Sequence, residues 1–260
     1  MMKKHPFHLV TPSPWPLASS MVAMCLTFST IIFSHSKMYE PLLISFFLCL
    51  MVAFSWWSDV FKESSFEGAH PNKTLKGLKT GMVFFIVSEV MLFFSFFWAF
   101  FHSSLAPVID IGMEWPPKGL NPFDPKNIPL MNTTILLTSG LTITWSHHSL
   151  MKKELWQATD SLIMTILLGG YFTYLQGVEY WSSQFSLWDS IYSSSFFLAT
   201  GLHGAHVIIG SIFLATTLKQ MAFLSSTFSH MVSFECAAWY WHFVDVVWLF
   251  LYVSIYIWGS

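Results

Sequence analysis

The sequence contains no arginine; all 12 of its basic residues are lysines. Charge of either sign is scarce. Asp, Glu, Lys and Arg make up 10% of the 260 residues, against about a quarter in a soluble domain, which excludes water as the main solvent of the fold. The net charge is −2 and the lysines are scattered, so nucleic acid and acidic soluble partners are set aside. The 3 cysteines, Cys25, Cys49 and Cys236, lie far apart. That spacing excludes a disulfide framework or a Cys-rich metal site, and they read as small buried hydrophobes. The first 16 residues carry four prolines, no small-residue cleavage site and no Arg-rich amphipathic pattern, so neither a signal peptide nor an import leader is expected. No internal repeat and no symmetric pair of broken helices is present, which removes support for an inverted-repeat transporter.

What is abundant is apolar and aromatic. Hydrophobic residues reach 54%, with 27 Phe and 13 Trp, more aromatic surface than a soluble core of this length requires. Runs near the roughly 20 residues that span a bilayer as a helix fall at about 15–35, 40–58, 79–103, 128–150, 156–178, 190–218 and 233–258. Such runs lack period-2 alternation, and backbone in hydrocarbon must satisfy its own hydrogen bonds, so helices are favoured over a barrel. The expectation is an all-α, polytopic membrane protein of seven transmembrane helices forming a single membrane domain over 1–260. With seven spans, nine lysines (Lys3, Lys4, Lys62, Lys73, Lys76, Lys79, Lys152, Lys153 and Lys219) share one side against three (Lys37, Lys118 and Lys126) on the other. That bias places the N-terminus inside and the C-terminus outside. The Pro-rich connection at about 104–127 is then an ordered loop on the outer face.

Ionisable residues within the spans carry the chemical clues, because a charge at mid-bilayer is costly and usually partnered. Glu89 lies about ten residues beyond Lys79, near mid-membrane at roughly 1.5 Å per residue. Desolvation there favours the neutral acid over the carboxylate. Proton handling is one reading of Glu89, and a hydrogen bond between packed helices is the other. His203 and His206 are three apart and share a helix face, as do His242 and Asp245. Such a set has the ligand chemistry for zinc, copper or iron; interhelical His–Asp hydrogen bonding, with Gly201 and Gly204 allowing close approach, satisfies the same groups without metal. His147 and His148, beside Lys152 and Lys153, read as interfacial. Lys62, Glu63 and His70 follow Trp56 and Trp57 at an inner interface, a mixture suited to lipid headgroups, with Lys219 on the same side. An independent proton-coupled channel using Glu89, His203 and Asp245 and a metal- or haem-binding membrane enzyme are the competing classes.

Several strings, in order along the chain, resemble subunit III of the haem–copper oxidases: HPFHLVTPSPWP, SEVMLFFSFFWAFFHSSLAP, TWSHHSL, FFLATGLHGAHVIIG and FECAAWYWHFVDVVWLFLYVSIYIWGS. The resemblance runs from His5 to Ser260. It implies a seven-helix subunit of a mitochondrial inner-membrane cytochrome c oxidase, made inside the organelle, with helices 1–2 (about 15–58) separated from helices 3–7 (about 79–258) by a cleft that holds phospholipid. It further implies that the chain has no catalytic centre and binds no metal. Haem a and copper sit in partner subunits, subunit I being the main contact and subunit II and accessory subunits the others. The family role is to stabilise the catalytic subunit and sustain proton uptake. Position by position, Glu89 matches the family's carbodiimide-reactive intramembrane carboxyl, and Trp57, Lys62, Glu63, His70 and Lys219 match its lipid contacts. His203, His206, Glu235, His242 and Asp245 match an interhelical polar cluster. The family usually has Arg at Ser58, Lys62, Lys79 and Lys219; lysine offers a point charge there in place of a planar bidentate fork. A glycan on the sequon at Asn132 would contradict the mitochondrial reading.

Overall fold

The computed structural model describes residues 7–109, 112–223 and 232–259. Those residues form seven α-helices and no strand: α1 (Trp15–Ser36), α2 (Glu40–Ser65), α3 (Asn72–Leu105), α4 (Ile128–Met151), α5 (Leu155–Trp181), α6 (Ile191–Phe223) and α7 (Val232–Leu251). A π-helical segment, Tyr252–Ile257, continues α7, closed by the amide of Trp258 donating to the Val253 carbonyl at 3.0 Å. The orientation-setting Lys3 and Lys4, together with His5 and Ser260, lie outside the described residues.

Each expected span has its helix. Six of the seven are long and apolar enough to cross a membrane, and the protein is a polytopic membrane protein. The exception by composition is α4, whose 24 residues suffice in length. Its Ser and Thr hydroxyls mostly donate to carbonyls three or four residues back, as from Thr133 to Pro129 at 2.8 Å and from Ser139 to Leu136 at 2.6 Å. Satisfied in this way, hydroxyls enter an apolar bundle at low cost.

The chain divides into two compact units, Met1–Leu78 and Lys79–Ser260. In the first, α1 packs on α2 through the buried hydroxyls of Ser29 and Ser45, 2.7 Å apart, and the Trp15 indole donates to Asp59 at 2.7 Å. Outside those contacts both helices present Leu, Phe and Met outward, the surface expected of elements solvated by acyl chains.

The second unit is built around α7. Trp241 is fully buried and donates from Nε1 to Ser139 on α4 at 2.9 Å. A Cβ at Gly169 on α5 would come within 2.6 Å of its ring, and one at Gly210 on α6 within 3.0 Å, so both glycines hold open the slot it fills. Two turns further along α7, Trp248 donates to Thr133 at 3.0 Å and meets Phe172 edge-on at 4.8 Å. The long connection after α3 is pinned to this unit: Trp115 sits between Phe100 and Tyr192, and Tyr252 donates to the Pro125 carbonyl at 3.3 Å. In the turn before α6, Asp189 accepts from the Ser186 amide and hydroxyl, which holds its carboxyl below the usual range.

Two expectations need correction. Gly201 and Gly204 are not points of close approach: the nearest neighbour of a Cβ at Gly201 would be the Tyr180 hydroxyl at 3.9 Å, and nothing lies within 4 Å at Gly204. On α4, α5 and α6 the tight positions are Gly140, Gly169 and Gly210, where aromatic or carboxylate side chains from α7 press on bare backbone. The cysteines also differ from expectation, for Cys236 is buried, Cys49 half-buried and Cys25 exposed. An apolar run in this protein is as often a lipid-facing surface as a core.

Candidate functional site

Glu89 projects from α3 toward α6, where its Oε2 lies 2.9 Å from His206 Nε2. The other ring nitrogen, Nδ1, is 2.7 Å from the Leu202 carbonyl. A carbonyl only accepts, so Nδ1 carries a proton and donates it; the tautomer is fixed by the backbone of α6 itself. The remaining contact then needs one proton between Glu89 and Nε2. Either the neutral acid donates to a neutral imidazole, or an imidazolium donates to a carboxylate. Both forms complete the hydrogen bond, so the pair holds a proton on either partner without leaving an orphan. Around it, Phe93 meets the imidazole edge-on at 5.1 Å, Tyr240 stacks on it at 6.2 Å and Phe243 closes a third side. Side-chain exposures of 8% for His206 and 19% for Glu89 leave the acid the more open of the two.

His203, one turn earlier, is fully buried. Its Nε2 donates to the Val244 carbonyl at 3.2 Å, while Nδ1 has no partner among the described residues and the ring lies against Phe172 and Trp248. Asp245 packs against α4, where one of its oxygens would collide with a Cβ at Gly140; that oxygen is 3.9 Å from His242 on its own helix. Glu235, nearer the start of α7, pairs with Lys79 on α3. The five polar residues matched from the family therefore divide among separate partners: Glu89 for His206, a backbone carbonyl for His203, Lys79 for Glu235, and one another for His242 and Asp245. Among the described residues, the set that brings three potential metal-ligand atoms within 4.8 Å of one another is a different one, His8, Glu63 and His70.

Of the residues matched as lipid contacts, Trp57 is largely exposed, Lys62 is held by Asp59 at 2.9 Å, Glu63 faces His8 at 3.6 Å, His70 is buried and Lys219 is exposed. An apolar groove lined by Val83, Ile86, Val87 and Trp239 opens between α3 and α7. Asn132, the sequon residue, is buried in α4 and donates to Gln176 at 3.3 Å.

Sequence reasoning missed Glu179, a further carboxyl within the bundle besides Glu89 and Asp245, 1% exposed. Neither of its oxygens makes a hydrogen bond of good geometry in the described residues, and the Tyr256 hydroxyl is its polar neighbour. The available signal was Gln176 and Glu179 at i and i+3 near the end of a span, which places two polar groups on one helix face.

Comparison with known proteins returns one answer along the whole chain. Residues 5–260 match the family model described as cytochrome c oxidase subunit III. The chain is 54% identical over 259 residues to cytochrome c oxidase subunit 3 of Heterololigo bleekeri, covering 100% of each. It is 53% identical over 256 residues to that of Locusta migratoria, covering 98% of this chain and 97% of the relative. With that of Branchiostoma lanceolatum it is 51% identical over 256 residues, covering 98% of each.

Proposed function

The chain belongs to the cytochrome c oxidase subunit III family, a subunit of an oxidoreductase complex, and from that premise we propose that it is the redox-silent companion of the catalytic subunit. In this reading it lies in the mitochondrial inner membrane with its N-terminus on the matrix side and its C-terminus facing the intermembrane space. Subunit I is its main contact and, with subunit II, carries the haem a and copper that supply electron transfer from cytochrome c to oxygen. The chain's own contribution is to stabilise that core, hold phospholipid and sustain proton uptake.

The observation that supports the proton role most is the Glu89–His206 pair. A carboxyl within a span that has a basic partner at 2.9 Å and an aromatic cage is a site where a proton can rest on either group. Lipid holding draws support from the apolar groove beside Trp239, from exposed Trp57 on α2 and from exposed Lys219 near the end of α6. Lys62 serves the same end once it exchanges Asp59 for a phosphate, an exchange of small cost for an exposed ion pair.

The test uses the intact oxidase reconstituted in vesicles. Glutamine at position 89 can still donate to His206 but cannot release a proton, so Glu89→Gln separates packing from proton handling. We expect unchanged haem content and a several-fold loss of proton-uptake rate, or of turnovers completed before inactivation. Unchanged uptake and unchanged endurance in Glu89→Gln would contradict the proton role and leave the pair a packing contact.

A further inference from the structure

We propose that the end of the second unit where α4 begins and α5 ends binds ordered water inside the bundle, with Asn132, Glu179 and Tyr256 as its ligands. This goes beyond the redox-silent role described above, which gives Glu179 no part.

The side chains at this end leave hydrogen bonds unmade. Asn132, in the first turns of α4, and Glu179, in the last turn of α5, are both buried. Between them the Asn132 amide donates to Gln176 Oε1 at 3.3 Å, and Gln176 Nε2 donates to the Tyr256 hydroxyl oxygen at 3.4 Å. Tyr256 therefore keeps its own proton to give, and its polar neighbour is the Glu179 carboxyl. One hydroxyl cannot serve two carboxyl oxygens, whether the group is ionised or neutral. Both oxygens of Glu179 and Oδ1 of Asn132 stay without a hydrogen bond of good geometry among the described residues. Turning both amides over does not repair this, because Asn132 would then accept from Gln176 and leave its NH2 group unpaired instead. No ion pair reaches Glu179 among the described residues either.

Buried polar atoms that side chains leave unpaired are, as a rule, met by internal water. Water suits this set because it both donates and accepts. It can give a proton to Asn132 Oδ1 or to a carboxylate oxygen and take one from a neutral carboxyl. Calcium or magnesium needs about six oxygens, whereas two amide NH2 groups stand within this set. The surroundings are aromatic: Phe196 and Trp248 meet the Tyr256 ring at 5.4 and 5.8 Å, which shuts the polar atoms off from acyl chains. Tyr256 also belongs to the π-helical segment, whose wider turn shifts side chains from the register that α7 would give them, and such segments often mark functional positions. Bound water here ties α4, α5 and the π-helical segment together through groups that do not reach one another directly.

The test applies hydroxyl-radical footprinting to the intact complex: an X-ray pulse splits bound water in place and labels the side chains beside it, and mass spectrometry reads the label. Tyr256 and Trp241 are both buried, and Trp241, whose indole N–H is taken by Ser139, is the internal control. We expect Tyr256 to be labelled and Trp241 to stay unlabelled. The Tyr256 label is expected to be lost in Glu179→Leu, which removes the carboxyl, and to persist in Glu179→Gln, which keeps a donor and an acceptor. Haem content reports that each variant has assembled. Tyr256 as unreactive as Trp241 in the unmutated complex would overturn the site without any variant, and so would an equal Tyr256 label in the wild type and in assembled Glu179→Leu.

Discussion

Gly169 has no side chain because the ring of Trp241 occupies that space. A Cβ there would lie 2.6 Å from Trp241 and 2.8 Å from the Ser211 hydroxyl, so Gly169→Ala is expected to cost about 1–3 kcal/mol by overpacking. Gly204→Ala, in open space, should be neutral or slightly stabilising by helix propensity. Heat inactivation of the isolated complex checks both; equal midpoints for the two variants would show that Trp241 can move aside. Which glycine matters was not legible in the sequence. Gly201 and Gly204 drew attention because they flank histidines, but close approach depends on what the facing helix presents, and α7 presents Trp241 to Gly169. The same limit applies to Glu89. Its depth in a span is readable from hydropathy, whereas its partner lies 117 positions away and emerges only when α3 meets α6. Glu179 shows the limit most plainly, since its polar neighbour Tyr256 belongs to the π-helical segment after α7 and meets it only in the folded bundle.

At the scale of elements, the seven spans were legible and their ends less so. α3 begins at Asn72 and α2 runs to Ser65, several residues beyond the apolar runs, because hydropathy follows the thickness of the hydrocarbon while the helix continues through its polar turns. α4 is the one helix that falls short of a span by composition, and its Ser and Thr content is its means of binding neighbours: it accepts from Trp241 and Trp248 and pairs Thr142 with Thr165 at 2.8 Å. Hence Ser139→Ala, which leaves a buried indole N–H without its acceptor, is expected to destabilise by about 1–3 kcal/mol. Thr144→Val should change little, because that exposed hydroxyl bonds only to Leu141 of its own helix. Subunit retention during detergent heating distinguishes them. Equal retention would mean that α4 is held by shape alone.

For the whole molecule, the lack of charge and the surplus of phenylalanine describe a surface made for lipid and for other proteins. The first unit has a small buried core and long exposed apolar faces, and the second concentrates its burial on α7. Composition made the solvent legible and the order of motifs made the family legible. The division of the polar residues into separate pairs was not, since two groups on one helix face can each find a different partner on a neighbouring helix. A chain with this much exposed apolar surface is suited to work within a larger assembly. The most direct measurement is gentle isolation of the chain from its native membrane, with the haem absorption spectrum and the mass composition of what accompanies it. The account predicts stoichiometric haem a and the larger oxidase subunits in the same particle; a haem-free, partner-free preparation that conducts protons on its own would contradict it.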